Sequence, residues 1–292
     1  MGDRASSVPQ RQLGRHLKLA REEAGISLEP AAKLLEWSRA RMYRIERGET
    51  TVRTHDVEAM CRLYGVTAQM TDVLRSLAKE SKAKGWWHAY GEVIPTWFQL
   101  YVGMEAGAAR IRDFESTLIP GLLQTPEYAA AVFGTRAGVT EHEVAASVAF
   151  RLERQRILRR RRPKAPDLKV IVDESVLHRP ISDRDAWLAQ LAHLANANRL
   201  PTVTVRVLPL SAGPHLASVA NSFRIFEFPA QGTRPPEPTT VYSENLTGAL
   251  YLDKPGELAV YDEIWRSLGE LALSQEDSED LLAAIIREGV DD

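Results

Sequence analysis

The sequence predicts an α+β protein in two parts: an all-α module of five helices, then a mixed α/β domain. Three observations carry this expectation. Apolar residues recur at helical spacing through the first 80 or so positions. Further on, short alternating runs such as TVTVRVL (202–208) stand among helical patterns, and alternation is the mark of a strand with one buried face. The charge also divides. Residues 1–84 hold 16 Lys+Arg against 11 Asp+Glu (+5), leaving 21 against 28 (−7) for the rest of a chain whose net charge is −2. The N-terminal part is the one suited to a polyanion.

The chain has 292 residues, 44% of them hydrophobic, enough for two packed cores. No apolar run reaches the roughly 18–20 residues of a membrane span, and MGDRASSVPQRQ has no apolar stretch of the secretory kind. A cytoplasmic, nucleoid-associated protein without membrane partners is expected. The single cysteine, Cys61, excludes an internal disulfide and a multi-cysteine zinc site, and its setting in VEAMCRLYG suits a buried helical position. No metal and no cofactor is expected. Residues 1–10 read as a flexible N-terminus, 11–81 as the helical module, 82–103 as an interdomain segment and 104–288 as the C-terminal domain.

The helices follow in order. Leu13, Leu17, Ala20 and Ala24 form the first stripe, stopped by Gly25. Ser27 can cap a second helix that tolerates Pro30 in its first turn and presents Leu28, Ala31, Ala32 and Leu35. Glu36-Trp37 makes a tight connection, Ser38 caps a third helix, and Gly48 ends it. Thr54 and Thr67 read as caps of two more, with stripes Val57, Met60, Cys61, Tyr64 and Met70, Val73, Leu74, Leu77. Past the basic and aromatic SKAKGWWHAYG (81–91), helical patterns fall near 104–116, 126–133, 141–160, 184–198, 257–273 and 276–287. Strand patterns fall at 168–172, 202–208, 222–228, 240–244 and 249–253, with a polar, Pro-rich loop at 231–239. No repeat of 20–50 residues is present.

The stretch SRARMYRIERGE (38–49) carries the function. On a wheel of about 100° per residue, Met42 and Ile45 share one side, Arg39, Ala40, Tyr43, Arg44 and Arg47 cover the opposite arc, and Arg41 sits at the border. Charge alone does not separate a solvated face from a DNA-reading one. The preceding helix, short second helix and tight turn do, because they are helix-turn-helix syntax, in which the later helix enters the major groove. Arg39 and Arg44 can take a guanine edge bidentately, and Ala40 permits close approach to a thymine methyl. Arg41, Arg47 and Arg53 suit phosphates, as does the positive helix end at Ser38.

Residues 13–77 resemble the helix-turn-helix domain of the Xre/Cro-like, λ-repressor-like class through LAREEAGISL, AAKLLEWSRARMYRIERGE and the closing IERG. The resemblance implies an ion pair between Arg21 and Glu46 that ties the first helix to the third. Leu28 stands where that class has a phosphate-binding glutamine, and Trp37 where it has a small turn residue, so base-by-base readout is not transferable.

The second part carries PGLLQTPEYAAAVF (120–133), FRLERQRILRRRR (150–162), VIVDESVLHR (170–179), VRVLPLSAGPH (205–215) and VYSENLTGALYL (241–252). This order of motifs resembles DUF5753, a C-terminal domain of actinobacterial Xre-type regulators. What the resemblance implies is a regulator with a small, neighbour-encoded protein partner in an antitoxin-like arrangement; a homodimer on a double-stranded DNA operator is expected because one short recognition helix rarely supplies enough specificity alone. The alternative it leaves open is an interaction protein whose main role is to sequester that partner, with DNA binding secondary. A small ligand is the other candidate effector.

Enzyme chemistry is not expected. Asp173 and Glu174 follow a strand, with His178 and His215 as candidate companions, but adjacent carboxylates on a strand point to opposite faces. They suit the cap of the next helix instead. No HExxH, G-x-S-x-G or P-loop pattern occurs. The arginine run 151–162 has an apolar side in Leu152, Ile157 and Leu158, which favours a structural or interface helix over a second polyanion patch, and Arg154-Gln155 reads as a packing and hydrogen-bonding element. Trp86, Trp87 and Trp97, with Tyr90, Phe98 and Tyr101, read as a core edge. The sharper alternative is a pocket for an aromatic or lipid-like effector, and Trp86, Trp87, Trp97 and Arg154 are the candidate partner- or ligand-binding residues.

Overall fold

A computed structural model describes residues 8–80, 96–230, 237–245 and 248–291. The segment 81–91 with Trp86, Trp87 and Tyr90 lies outside the described residues, as do the first seven residues and the side chain of Trp97. By contact the chain divides into two units, 1–107 with 230–237, and 108–229 with 238–292.

The first unit is all helix: α1 (Val8–Glu23), α2 (Leu28–Leu34), α3 (Arg39–Glu46), α4 (Thr54–Tyr64), α5 (Ala68–Glu80) and α6 (Thr96–Gly107). The apolar stripes anticipated for the first five converge. Leu13, Leu17, Met42, Val57, Met60 and Leu77 are all at most 1% exposed and belong to one cluster, and Cys61 is buried with them. Gly25 and Gly48 end α1 and α3 in left-handed conformation, at φ 69° and 67°. Thr67 caps α5, its Oγ1 accepting from the amide of Met70 at 3.3 Å. Thr54 does not cap α4: it is the first helical residue, and Arg53 before it takes the cap position without a side-chain bond. Phe98 and Tyr101 of α6 stack at 4.7 Å, and the Tyr101 hydroxyl donates to Glu105. Glu237, buried in this unit, pairs with Arg11 at 3.2 Å.

The second unit is built on one six-stranded sheet of order β3-β2-β1-β4-β5-β6. Its strands are β1 (Arg110–Glu115), β2 (Asp167–Asp173), β3 (Val203–Leu208), β4 (Phe223–Glu227), β5 (Thr240–Asn245) and β6 (Gly248–Leu252). β1, β2 and β3 run parallel, and β4 to β6 extend the sheet antiparallel from β1. The helices are α7 (Pro126–Gly134), α8 (Glu141–Gln155), the one-turn α9 (Glu174–Leu177), α10 (Arg184–Ala197), α11 (Pro255–Leu271) and α12 (Gln275–Asp291). Ile264 and Leu268 of α11 pack on Phe114, Phe223, Ile225 and Val241. The outer edge of β3 is closed by the start of α12. Val207 donates to Ser278 Oγ at 2.9 Å and accepts from the amide of Leu273 at 2.9 Å, so no open edge is left there.

One element departs from expectation. The helical pattern near 104–116 is in fact the end of α6 followed by β1, the central strand. Ile111 and Phe114 are three apart, which mimics a helix stripe, and the strand is crowded with charge. In the sheet those charges are paired by partners far off in sequence. Arg112 meets Glu227 at 3.0 Å and Asp262 at 2.7 Å, and Arg224 of β4 bonds both Asp113, at 3.0 Å, and Glu115. Burial pushes the Glu115 carboxyl up to about 7, with Asp113 adding to the rise and Arg224 opposing it.

Candidate nucleic-acid interface

α3 is short, and tertiary contacts hold it. Ser38 Oγ accepts the amide of Arg41 at 3.2 Å, which caps the first turn. Met42 and Ile45 are 0% and 1% exposed and anchor the helix, each burial contributing roughly 1.5–3 kcal/mol. At its far end α3 touches α1 almost backbone to backbone. A Cβ on Gly14 would fall 2.4 Å from the Ile45 carbonyl oxygen, and one on Gly48 2.7 Å from Arg11 Cα. Gln10 donates from Nε2 to the Gly48 carbonyl at 2.8 Å. Glu46 is buried and receives Arg21 in a two-pronged ion pair, Nε to Oε1 at 2.6 Å and Nη2 to Oε2 at 2.9 Å, while Arg21 Nη1 donates to the Ile26 carbonyl at 2.7 Å. The pair implied by resemblance is therefore present, and it fixes α1, the α1–α2 turn and α3 together.

With that side buried, the other points out. Ser38, Arg39, Ala40, Tyr43, Arg44, Arg47 and Arg53 are all exposed. Arg39, Arg44 and Arg53 make no ion pair among the described residues, so their guanidinium groups are available to an incoming ligand. Arg47 is more constrained. It bonds Glu49, donates to the Tyr43 hydroxyl at 3.2 Å and lies over the Tyr43 ring. Arg41 is held most firmly. It stacks 4.0 Å over the Trp37 ring and pairs with Asp56 of α4 at 2.8 Å. Trp37 thus has a use in the turn, as the plate beneath Arg41. The turn itself is strained: Glu36, not a glycine, sits at φ 56°, a conformation costing about 1–2 kcal/mol.

Gly14, Gln10 and Asp56 escaped the sequence reading. Gly14 alone left a trace, because a glycine inside a helix costs about 1 kcal/mol against alanine and so points to a close approach.

In the second unit the motif PGLLQTP forms a turn pinned by side-chain amides. Gln124 donates to the Ile119 carbonyl at 2.7 Å, Gln155 to the Gln124 and Gly121 carbonyls at 2.7 and 3.1 Å, and Gln190 to the Leu123 carbonyl at 2.8 Å. Arg151 bonds Gln124 and lies 4.4 Å over Phe133. Thr125 then caps α7.

A family model described as a domain of unknown function, DUF5753, matches residues 98–284, more than half the chain. The chain belongs to the DUF5753 family. A second model, a helix-turn-helix domain, matches residues 12–74 and so covers α3 with its supports. No curated protein and no solved structure matches. Among the described residues no helix is long and apolar enough to cross a membrane.

In this DUF5753 protein the other sequence candidates have structural partners. Asp173 caps α9 through the amide of Ser175 at 2.9 Å, and Glu174 accepts the amide of Leu210 at 2.7 Å and meets His178 at 3.4 Å. His215 stands edge-on to Phe114 at 6.1 Å. The structure sorts the arginine run. Arg154 is buried, its guanidinium 6.0 Å over the Phe150 ring. Arg156 pairs with Glu153 and Arg160 donates to the Lys164 carbonyl, while Arg159, Arg161 and Arg162 are exposed.

Proposed function

We propose that this protein is a sequence-specific transcription regulator that binds its DNA operator as a dimer through α3, acts by binding and not by catalysis, and is controlled through its DUF5753 unit. The observation that carries the reading is the pairing of a buried anchor with free cations. Met42, Ile45 and Glu46 hold α3 rigidly, and Arg39 and Arg44 project from its exposed side without partners among the described residues. Such a helix meets base edges with its first turns, and a dimer places two of them about one helical turn, ~34 Å, apart.

The test is selection of preferred sites from random duplexes, followed by Arg44→Ala. The variant should lose roughly 1–3 kcal/mol on the selected site and relax one base position. An unchanged preference removes Arg44 from base readout. Arg39→Ala tests the second position in the same way.

Control by a small protein partner has its own support. Leu216, Val219 and Leu271, 50%, 88% and 40% exposed, surround an open groove of about 480 Å³. Exposed aliphatic clusters of this kind mark interaction sites. Titration of the full chain with the product of an adjacent small gene, with Val219→Glu as the blocking variant, separates partner control from control by a small ligand.

A further inference from the structure

The face of α8 opposite its buried residues Ser147, Phe150 and Arg154 carries an unusual series. Glu141, Ala145, Val148 and Leu152 follow one another at spacings of four, three and four, the spacing of a coiled-coil seam, and Arg156 lies one turn further on. Ala145, Ala149 and Leu152 are exposed. Together with the small residues Ala130 and Gly134 of α7 they line an open groove of about 700 Å³. Apolar seams at this spacing are ordinarily covered by another helix.

We propose that this groove is the two-fold interface between two copies of the chain, α8 packing antiparallel against α8. The proposal rests on the dimeric reading above and names its surface.

The occupant follows from the seam itself, which is complementary to its own reverse. Place the two-fold axis between Val148 and Ala149. Ala145 then faces the second copy's Leu152, a small residue against a large one, and Val148 faces the second copy's Ala149. Glu141 faces the second copy's Arg156, an acid against a base, at both ends of the contact. Fifteen residues of helix separate Glu141 from Arg156, about 22 Å, so both pairs close in the same register as the apolar centre. Arg156 can reach this contact, since its side chain is 78% exposed and its ion pair is with Glu153, three residues back at the surface. Ala130 and Gly134 leave room along α7 for the incoming helix to approach at the 8–10 Å, roughly, of close helix packing. An unrelated partner helix would have no reason to match this particular reversal of size and charge.

The experiment uses the full chain in light scattering and analytical ultracentrifugation at micromolar concentration. Wild type is expected to be a dimer. Leu152→Glu should weaken it at least a hundredfold, because two carboxylates per dimer enter the apolar seam. Glu141→Arg should weaken it about tenfold by setting like charges together at both ends, and adding Arg156→Glu should restore it. Mild oxidation of Val148→Cys should give a disulfide-linked dimer, with Cys61 buried in both copies, while Val260→Cys on α11 should not. A monomeric wild type overturns the dimeric reading and the interface with it. A dimeric wild type with a dimeric Leu152→Glu variant overturns the interface alone, as does a charge swap without rescue. If Leu152→Glu fails to fold by circular dichroism, the charge swap and the cysteine cross-link decide the matter.

Discussion

Removing Glu46 should cost the helix-turn-helix unit more stability than removing any arginine of the DNA-facing arc. The side chains of Arg21 and Glu46 are 8% and 5% exposed, and their two hydrogen bonds, at 2.6 and 2.9 Å, are nearly shut off from water. Arg21 stays charged, since the hydrogen bonds it donates to Glu46 raise its already high pKa. Glu46→Ala therefore leaves an unpaired guanidinium in a protein interior, a change worth about 3–5 kcal/mol. Whole-domain stabilities are only about 5–15 kcal/mol, so the variant should stand near its unfolding threshold and lose DNA binding although Glu46 faces away from DNA. The double variant Arg21→Met/Glu46→Leu removes both charges and keeps the volume, and its loss should be within about 2 kcal/mol of wild type. Urea unfolding followed by far-ultraviolet circular dichroism on wild type, Arg21→Met, Glu46→Leu and the double variant gives the coupling energy directly. A Glu46→Ala loss below about 1 kcal/mol, or a coupling of that size, would refute the claim that this pair fastens α3 to α1.

Three further outcomes are expected. Gly14→Ala should destabilise the same unit by about 3 kcal/mol or more, because its Cβ would meet the Ile45 carbonyl at 2.4 Å. Gly25→Ala has open space around it and should cost only the left-handed strain, about 1–2 kcal/mol; equal losses in thermal melts would deny the close approach. Arg47→Ala should lower DNA affinity across sequences and flatten the salt slope by about one unit, whereas a change in preferred sequence at constant slope would place Arg47 at a base. Glu115 has a folded pKa, about 7, above its unfolded value, so the neutral form favours folding. That stability is complete below the unfolded pKa, roughly 4.3, and is lost as pH rises through 7, by up to about 4 kcal/mol. Glu115→Gln should remove this part of the pH dependence of unfolding, and identical profiles for variant and wild type would show that Glu115 titrates alike in the folded and unfolded states.

Much of the helical unit was legible in the chain itself. Its apolar stripes recur within single helices, Gly25 and Gly48 terminate helices through their own backbone freedom, and Ser38 caps within three residues. These are local interactions, and a local interaction is written in neighbouring residues. The same holds for Thr125 before α7 and for the strand patterns of β2 to β6, of which β3 alternates cleanly. The family resemblance, read from motif order, agrees with both family matches.

What tertiary structure decided is the fate of charge. Nothing near Asp113 or Glu115 in sequence announces a strand, since Arg224 reaches them from more than a hundred residues away. Within α3 the arginines look alike on a wheel. Arg41 is drawn off by Asp56, fifteen residues on, and by the Trp37 ring, while Arg39 and Arg44 are left free among the described residues. Sequence determined that a basic helix would dock with its cations outward, because the apolar pair Met42 and Ile45 had to be buried. Only the fold decided which cations remain available, because an ion pair is a matter of distance in space, and spacing along the chain does not set that distance.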